Sequence, residues 1–174
     1  MPATEKIKIA IERSARALSL KPSLGLGTGI STTRITNGLA CDISEGPWKL
    51  KADMPEAVGG DSTGPTPGVY GRAALGSCLA IGYMMAASKN NLPISMLEVE
   101  VQADYDDGVL FGTTTNVPPG YIEVRYIVKV DSEAPEEKII EMVESADRLS
   151  PYLDIFSRAQ NCKRNILITS SKES

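Results

Sequence analysis

The chain contains no histidine. That absence removes Ser-His-Asp triads, Cys-His dyads and His-ligated zinc sites together, because each needs an imidazole. A carboxylate site for a hard cation survives the exclusion, but no Asp-x-Asp-x-Asp-Gly loop is present. Aromatic residues are scarce, at 5%. No stretch approaches ~18 consecutive apolar residues without a charge, which excludes a membrane-spanning helix. The cysteines are few and odd in number: Cys41, Cys78 and Cys162. None forms a C-x-x-C pair, so neither a disulfide framework nor a zinc knuckle is indicated. The first residues run straight into charge, without the apolar core of a signal peptide. These features point to a cytoplasmic location, where a thiol persists as a thiol.

What is present fits one soluble domain over residues 1–174. Basic residues number 18 and acidic residues 22, giving net −4, and 42% of residues are apolar. The acidic balance argues against a nucleic-acid partner, as the lack of a long apolar run argues against a membrane. Chemistry must therefore rest on Cys, Ser, Lys, Arg, Tyr or carboxylates.

Residues 5–18 carry Ile7, Ile11, Ala15 and Leu18 among charged residues, the pattern of a short amphipathic helix ended by Lys21-Pro22. Residues 23–43 read as extended, with Asn37-Gly38 a two-residue hairpin signal. Residues 48–52 alternate with period two and predict another strand, and 59–68 are a loop by composition. From Val69 to Lys89 only Arg72 is ionised before the final lysine, which predicts a buried central helix. Its Gly71, Gly76 and Gly82 each cost about 1 kcal/mol relative to Ala, a loss usually offset by close approach of another backbone. Strands are expected at 94–104 and 121–130. A helix is expected from Ser132 or Glu133 to about Arg148, and a shorter one from Ser150-Pro151 to about Arg158. Ile166–Thr169 reads as a final strand, and 170–174 as a frayed tail. The order implies an α+β fold with mostly antiparallel sheet. A helix apolar on all sides needs cover on all sides, which an obligate dimer would supply.

Cys78 lies in Ala74-Leu-Gly-Ser-Cys-Leu-Ala80. Composition alone favours reading it as a small buried hydrophobe. A reactive Cys78 would need a cation delivered from elsewhere in the fold. Cys41, at a strand end, and Cys162, beside Lys163 and Arg164, read as incidental. Gly25-Leu-Gly-Thr-Gly29 lacks the Lys-Ser/Thr of a phosphate loop and reads as a bent strand. Arg34 is a lone cation on a neutral strand, which on its own reads as a surface residue.

The segment Gly64-Pro-Thr-Pro-Gly-Val-Tyr-Gly-Arg-Ala-Ala-Leu-Gly-Ser-Cys-Leu79 resembles the signature of the OsmC/Ohr superfamily. There a Gly-x-Asn/Thr-Pro loop opens a long buried helix and a Cys follows eleven residues after the Pro, as Cys78 follows Pro67. Met54-Pro-Glu-Ala-Val-Gly-Gly60 and Ala146-Asp-Arg-Leu-Ser-Pro-Tyr152 are similar too, and the resemblance spans roughly residues 24–168. Residues 1–20 look like a helical addition. The resemblance implies an OsmC-like fold, a sheet wrapped around two central helices in an intertwined homodimer with active sites at the subunit interface. It implies thiol-dependent reduction of small organic hydroperoxides in oxidative stress defence, with no cofactor and an external thiol reductant. Cys78 would be the peroxidatic thiol and Arg34 its guanidinium, with Arg72 a weaker candidate. Two positions depart from the family. The loop Glu that would hold the arginine is Gly68, for which Glu56 or Asp61 would have to substitute. The resolving Cys is Ser150, and a hydroxyl cannot form a disulfide. Cys162 would resolve Cys78 only with Cα atoms within about 7 Å. The alternative implied by these departures is a catalytically weak binding module with a small-molecule pocket at the dimer interface.

Overall fold

The computed structural model describes residues 2–168. Helix α1 spans Ala3–Leu20, slightly longer at each end than its apolar periodicity predicts, and stops where Pro22 removes a backbone donor. Strands β1 (Thr32–Arg34), β2 (Cys41–Glu45) and β3 (Trp48–Ala52) form an antiparallel sheet in that order. Gly38 does turn the chain between β1 and β2, at a φ of 62°. The register pairs Arg34 with Asp42, however, which is too wide for a two-residue turn. The tight hairpin lies instead between β2 and β3, where Glu45 pairs with Trp48 across Gly46-Pro47. Gly46 there takes a φ of 51°, and a positive first position followed by a proline matches the sign pattern of a type II′ turn.

Helix α2 runs Pro67–Lys89, with Pro67 in the first turn, where its missing N–H costs nothing. Leu75, Leu79, Tyr83 and Ala87 recur every fourth residue and are buried. They pack against Met142 and Ala146 of α4 (Glu136–Asp147). On the other side lie β4 (Met96–Asp104) and β5 (Glu123–Asp131), an antiparallel pair in register from Met96↔Asp131 to Asp104↔Glu123. Leu97, Val99 and Val101 of β4, with Val124, Tyr126 and Val128 of β5, face the helix. The outer face carries ion pairs such as Lys129–Glu98 at 2.6 Å. Burying one Leu- or Met-sized side chain contributes roughly 1.5–3 kcal/mol, so this two-sided packing sets the position of α2. A single helical turn, α3 (Asp107–Leu110), follows β4, and α5 (Pro151–Ser157) follows α4. The architecture is α+β with antiparallel sheets, as the element order implies.

Three details bear on the expectations. Cover for α2 is incomplete within one chain: Val69, Ala73, Ser77, Ile81 and Met85 form an exposed row at four-residue spacing, with Ile81 61% exposed. The glycines also divide. A Cβ at Gly76 would lie 3.3 Å from Val101 Cγ2, and one at Gly71 3.2 Å from the Tyr121 hydroxyl, but one at Gly82 would meet nothing within 4 Å. Finally, residues 166–168 form no strand, because no sheet edge among the described residues receives their backbone. Thr169 and the tail 170–174 lie outside the described residues. Among the described residues no helix is long and apolar enough to cross a membrane.

Candidate active site

Cys78 lies on α2, half-buried, one position before the buried Leu79. Its Sγ is 3.6 Å from Ser150 Oγ. Ser150 is 8% exposed and caps α5, its Oγ accepting from the Leu153 N–H at 3.3 Å. That cap engages a lone pair of the hydroxyl and leaves its proton free to point at sulfur. A thiolate at Cys78 can only accept, so Ser150 is the donor whenever Cys78 is ionised. Both side chains open onto a groove of about 1140 Å3 between α2, α4 and the start of α5, walled on one side by Ile11 of α1.

The end of α4 that delivers Ser150 is fixed by a partly buried network. The Tyr83 hydroxyl donates to Asp147 Oδ1 at 2.6 Å and the Tyr126 hydroxyl to Oδ2 at 2.9 Å, tying α2 and β5 to α4. Burial and the Asp147 carboxylate push the Tyr126 phenol up to about 12, and the same causes push Tyr83 well above the usual tyrosine range. The start of α2 is fixed by Asp53, which is 2% exposed. Its carboxylate accepts from the backbone N–H of Thr63 at 3.0 Å and of Met54 at 2.7 Å, and from the Thr63 hydroxyl at 2.8 Å. These bonds, those from Thr63 foremost, hold its pKa at about 2. Gly60 is obligatory in the same loop, since a Cβ there would sit 1.9 Å from Met54 O.

The expected arginine is not brought to the thiol within one chain. Arg34 sits exposed on β1, opposite Asp42, and does not line the groove. Arg72 turns back to the start of its helix, where a Cβ on Gly68 would lie 3.4 Å from Nη1, and is also absent from the groove. Glu56 and Asp61 are exposed, and the Asp61 N–H serves the Asp53 carboxylate. Cys41 is half-buried on β2, near Leu39 O, and Cys162 is exposed in the coil after α5; all three cysteines are free thiols. Three basic residues not singled out from the sequence do line the groove, Lys89, Lys138 and Arg148. Arg148 stands inside the matched Ala146–Tyr152 segment, so its signal was adjacency to Ser150; nothing in the sequence marked Lys89 or Lys138.

The comparisons with known proteins converge. The fold matches an OsmC-like protein from Mycoplasma pneumoniae at a TM-score of 0.63 and 14% identity, covering 75% of this chain and 87% of that one. It matches an organic hydroperoxide resistance protein from Legionella pneumophila at 0.55 and 15%, covering 76% and 90%. It matches OhrB of Bacillus subtilis, an organic hydroperoxide resistance protein, at 0.50 and 21%, covering 75% and 91%. At these identities the structures speak for the fold alone. A search of curated proteins gives no match. The family model described as OsmC-like protein matches residues 59–164, from the Gly-rich loop through Cys78 and Ser150 to the segment after α5. With well over half of its length inside that match, the chain belongs to the OsmC-like protein family.

Proposed function

We propose that this protein reduces organic hydroperoxides through the Cys78 thiol. The observation that carries the reading is the placement of Cys78 Sγ beside Ser150 Oγ at the wall of an open groove, so the sulfur is reachable and has a hydrogen-bond donor. The thiolate attacks the terminal peroxide oxygen. An S–O bond forms and the O–O bond breaks, leaving a sulfenic acid and an alkoxide that takes up a proton. One external thiol condenses with the sulfenic acid, releasing water and leaving a mixed disulfide. A second external thiol displaces Cys78 and departs as the oxidised reductant. Ser150 cannot enter this exchange, so the reductant must reach Cys78 directly.

The guanidinium that would lower the thiol pKa and stabilise the leaving oxygen is Arg34, delivered in a homodimer. The exposed row on α2 and the exposed three-stranded sheet, with Trp48 69% exposed, favour that assembly. A cytoplasmic role in peroxide stress fits the three free thiols. A second reading, a binding module without turnover, is favoured by Ser150 and Gly68 standing where the family carries Cys and Glu.

Stoichiometric cumene hydroperoxide with a sulfenic-acid trap separates the two. Peroxide reduction gives a rapid adduct at Cys78 by mass spectrometry, lost in Cys78→Ser and slowed in Arg34→Ala. A folded protein that forms no adduct, and copurifies with a small molecule, is the binding module.

A further inference from the structure

We propose that helix α1 is a displaceable strap, lying across the face of α2 that a second copy of this chain must contact, so that the two compete for one surface. The inference rests on the homodimer of the proposed function. Ile7 and Ile11 stand one turn apart on α1 and look into two different hollows. Ile7 shares the smaller, of about 420 Å3, with Ala80, Met84 and Leu97. Ile11 lines the Cys78 groove. Ile81 and Met85 line both hollows, so α1 crosses over them. These two residues form the C-terminal end of the exposed row on α2. A helix with its side chains is about 10 Å across, and packed helices lie roughly 8–10 Å apart, axis to axis. With α1 in between, no element of a partner reaches Ile81 or Met85.

The strap is held weakly. No residue of α1 is buried, and beneath it Ile81 stays 61% exposed and Met85 43%. Hollows rather than packed side chains flank the crossing on both sides. Lys8 Nζ donates to Asn91 Oδ1 at 2.9 Å, an exposed bond and, among the described residues, the one side-chain hydrogen bond from α1 to the rest of the chain. The core of α2, α4, β4 and β5 takes nothing from α1. Behind the helix, every residue from Leu18 to Leu39 is exposed, and Leu26–Ser31 belong to no helix or strand. That stretch alone reaches roughly 20 Å when extended, enough to carry α1 off the row while the body keeps its packing. A partner contributing roughly 800 Å2 of contact on each side, as stable interfaces do, displaces a helix seated on two partly buried isoleucines. Because Arg34 reaches the thiol only in the dimer, the release of α1 and the completion of the proposed site are one event.

The test is the sign of an effect on dimerisation, read by sedimentation velocity over a dilution series of the full-length chain. Ile7→Asp combined with Ile11→Asp should undock α1 and tighten the dimer at least about tenfold, the scale of one partly buried isoleucine. Asn91→Asp turns the Lys8 hydrogen bond into an ion pair, at a position whose φ of 52° an aspartate tolerates. It should weaken the dimer roughly twofold at low salt, and adding Lys8→Ala should remove the effect. Hydrogen exchange supplies a second reading: as dilute protein is concentrated, the amides of α1 should exchange faster and those of α2 more slowly. If α1 is instead part of the dimer contact, the paired aspartates weaken the dimer and α1 gains protection on concentration; either result overturns the strap and keeps the homodimer. A dimer affinity untouched by the paired aspartates overturns it as well. A chain that stays monomeric at every concentration, with the paired variant monomeric too, rejects the homodimer and the strap together.

Discussion

One atom separates Ser150 from a resolving cysteine. Its Oγ already sits 3.6 Å from Cys78 Sγ, so replacing oxygen by sulfur puts two thiols within small adjustment of an S–S bond of about 2.05 Å. Ser150→Cys should therefore oxidise to an internal disulfide on treatment with cumene hydroperoxide, seen as loss of two hydrogens in the intact mass, with a matching fall in trapped sulfenic acid. A trapped adduct that persists without the disulfide would mean that the two side chains do not meet in solution. The same substitution exchanges the α5 cap for a poorer acceptor, at a cost of up to ~1 kcal/mol. Asp53 acts at this scale too. Its folded-state pKa of about 2 lies below the ordinary carboxylate value, so its contribution to stability is complete above the unfolded value. It is lost as pH falls from there through about 2. Asp53→Asn should lower the melting temperature at neutral pH, with the gap from wild type closing as the pH is brought down into that window. A gap that stays constant with pH would count against the charge of Asp53 as the cause.

At the scale of elements, the composition of α2 announced a buried helix but not which of its faces lacks cover. The close backbone approach inferred from its glycines is replaced by close side chains at Gly76 and Gly71, and it fails at Gly82, which opens the groove instead. Gly76→Val should destabilise the protein by roughly 1–3 kcal/mol in chemical denaturation, because its Cβ alone would press on Val101 at 3.3 Å. An unchanged midpoint would show that β4 yields easily. The hairpin signal at Asn37-Gly38 found the right turn and the wrong width, since local turn chemistry does not report where the register of β1 and β2 closes. The Cys78–Ser150 juxtaposition was legible only as two motif segments. That α4 carries one to the other depends on Tyr83 and Tyr126 both reaching Asp147, contacts of high sequence separation. Arg148 and Lys89 escaped notice because a lone basic residue at a helix end looks alike in sequence whether it faces water or a cavity.

The molecule as a whole is unevenly packed. Its core is α2 with α4, β4 and β5, whereas every residue of β1, and all of β3 except Ala52, is exposed. In the proposed dimer the row through Ile81 is a contact surface, so Ile81→Glu should shift the protein toward monomer in analytical ultracentrifugation. A sedimentation coefficient unaltered by that charge would place the contact elsewhere. A small sheet with so little of either face packed does not hold together unaided, so β1–β3 draw their order from whatever they lean on. For this chain dilution would then act as a denaturant: thinning the solution should unravel the β1–β3 hairpins first, while the α2 body stays intact.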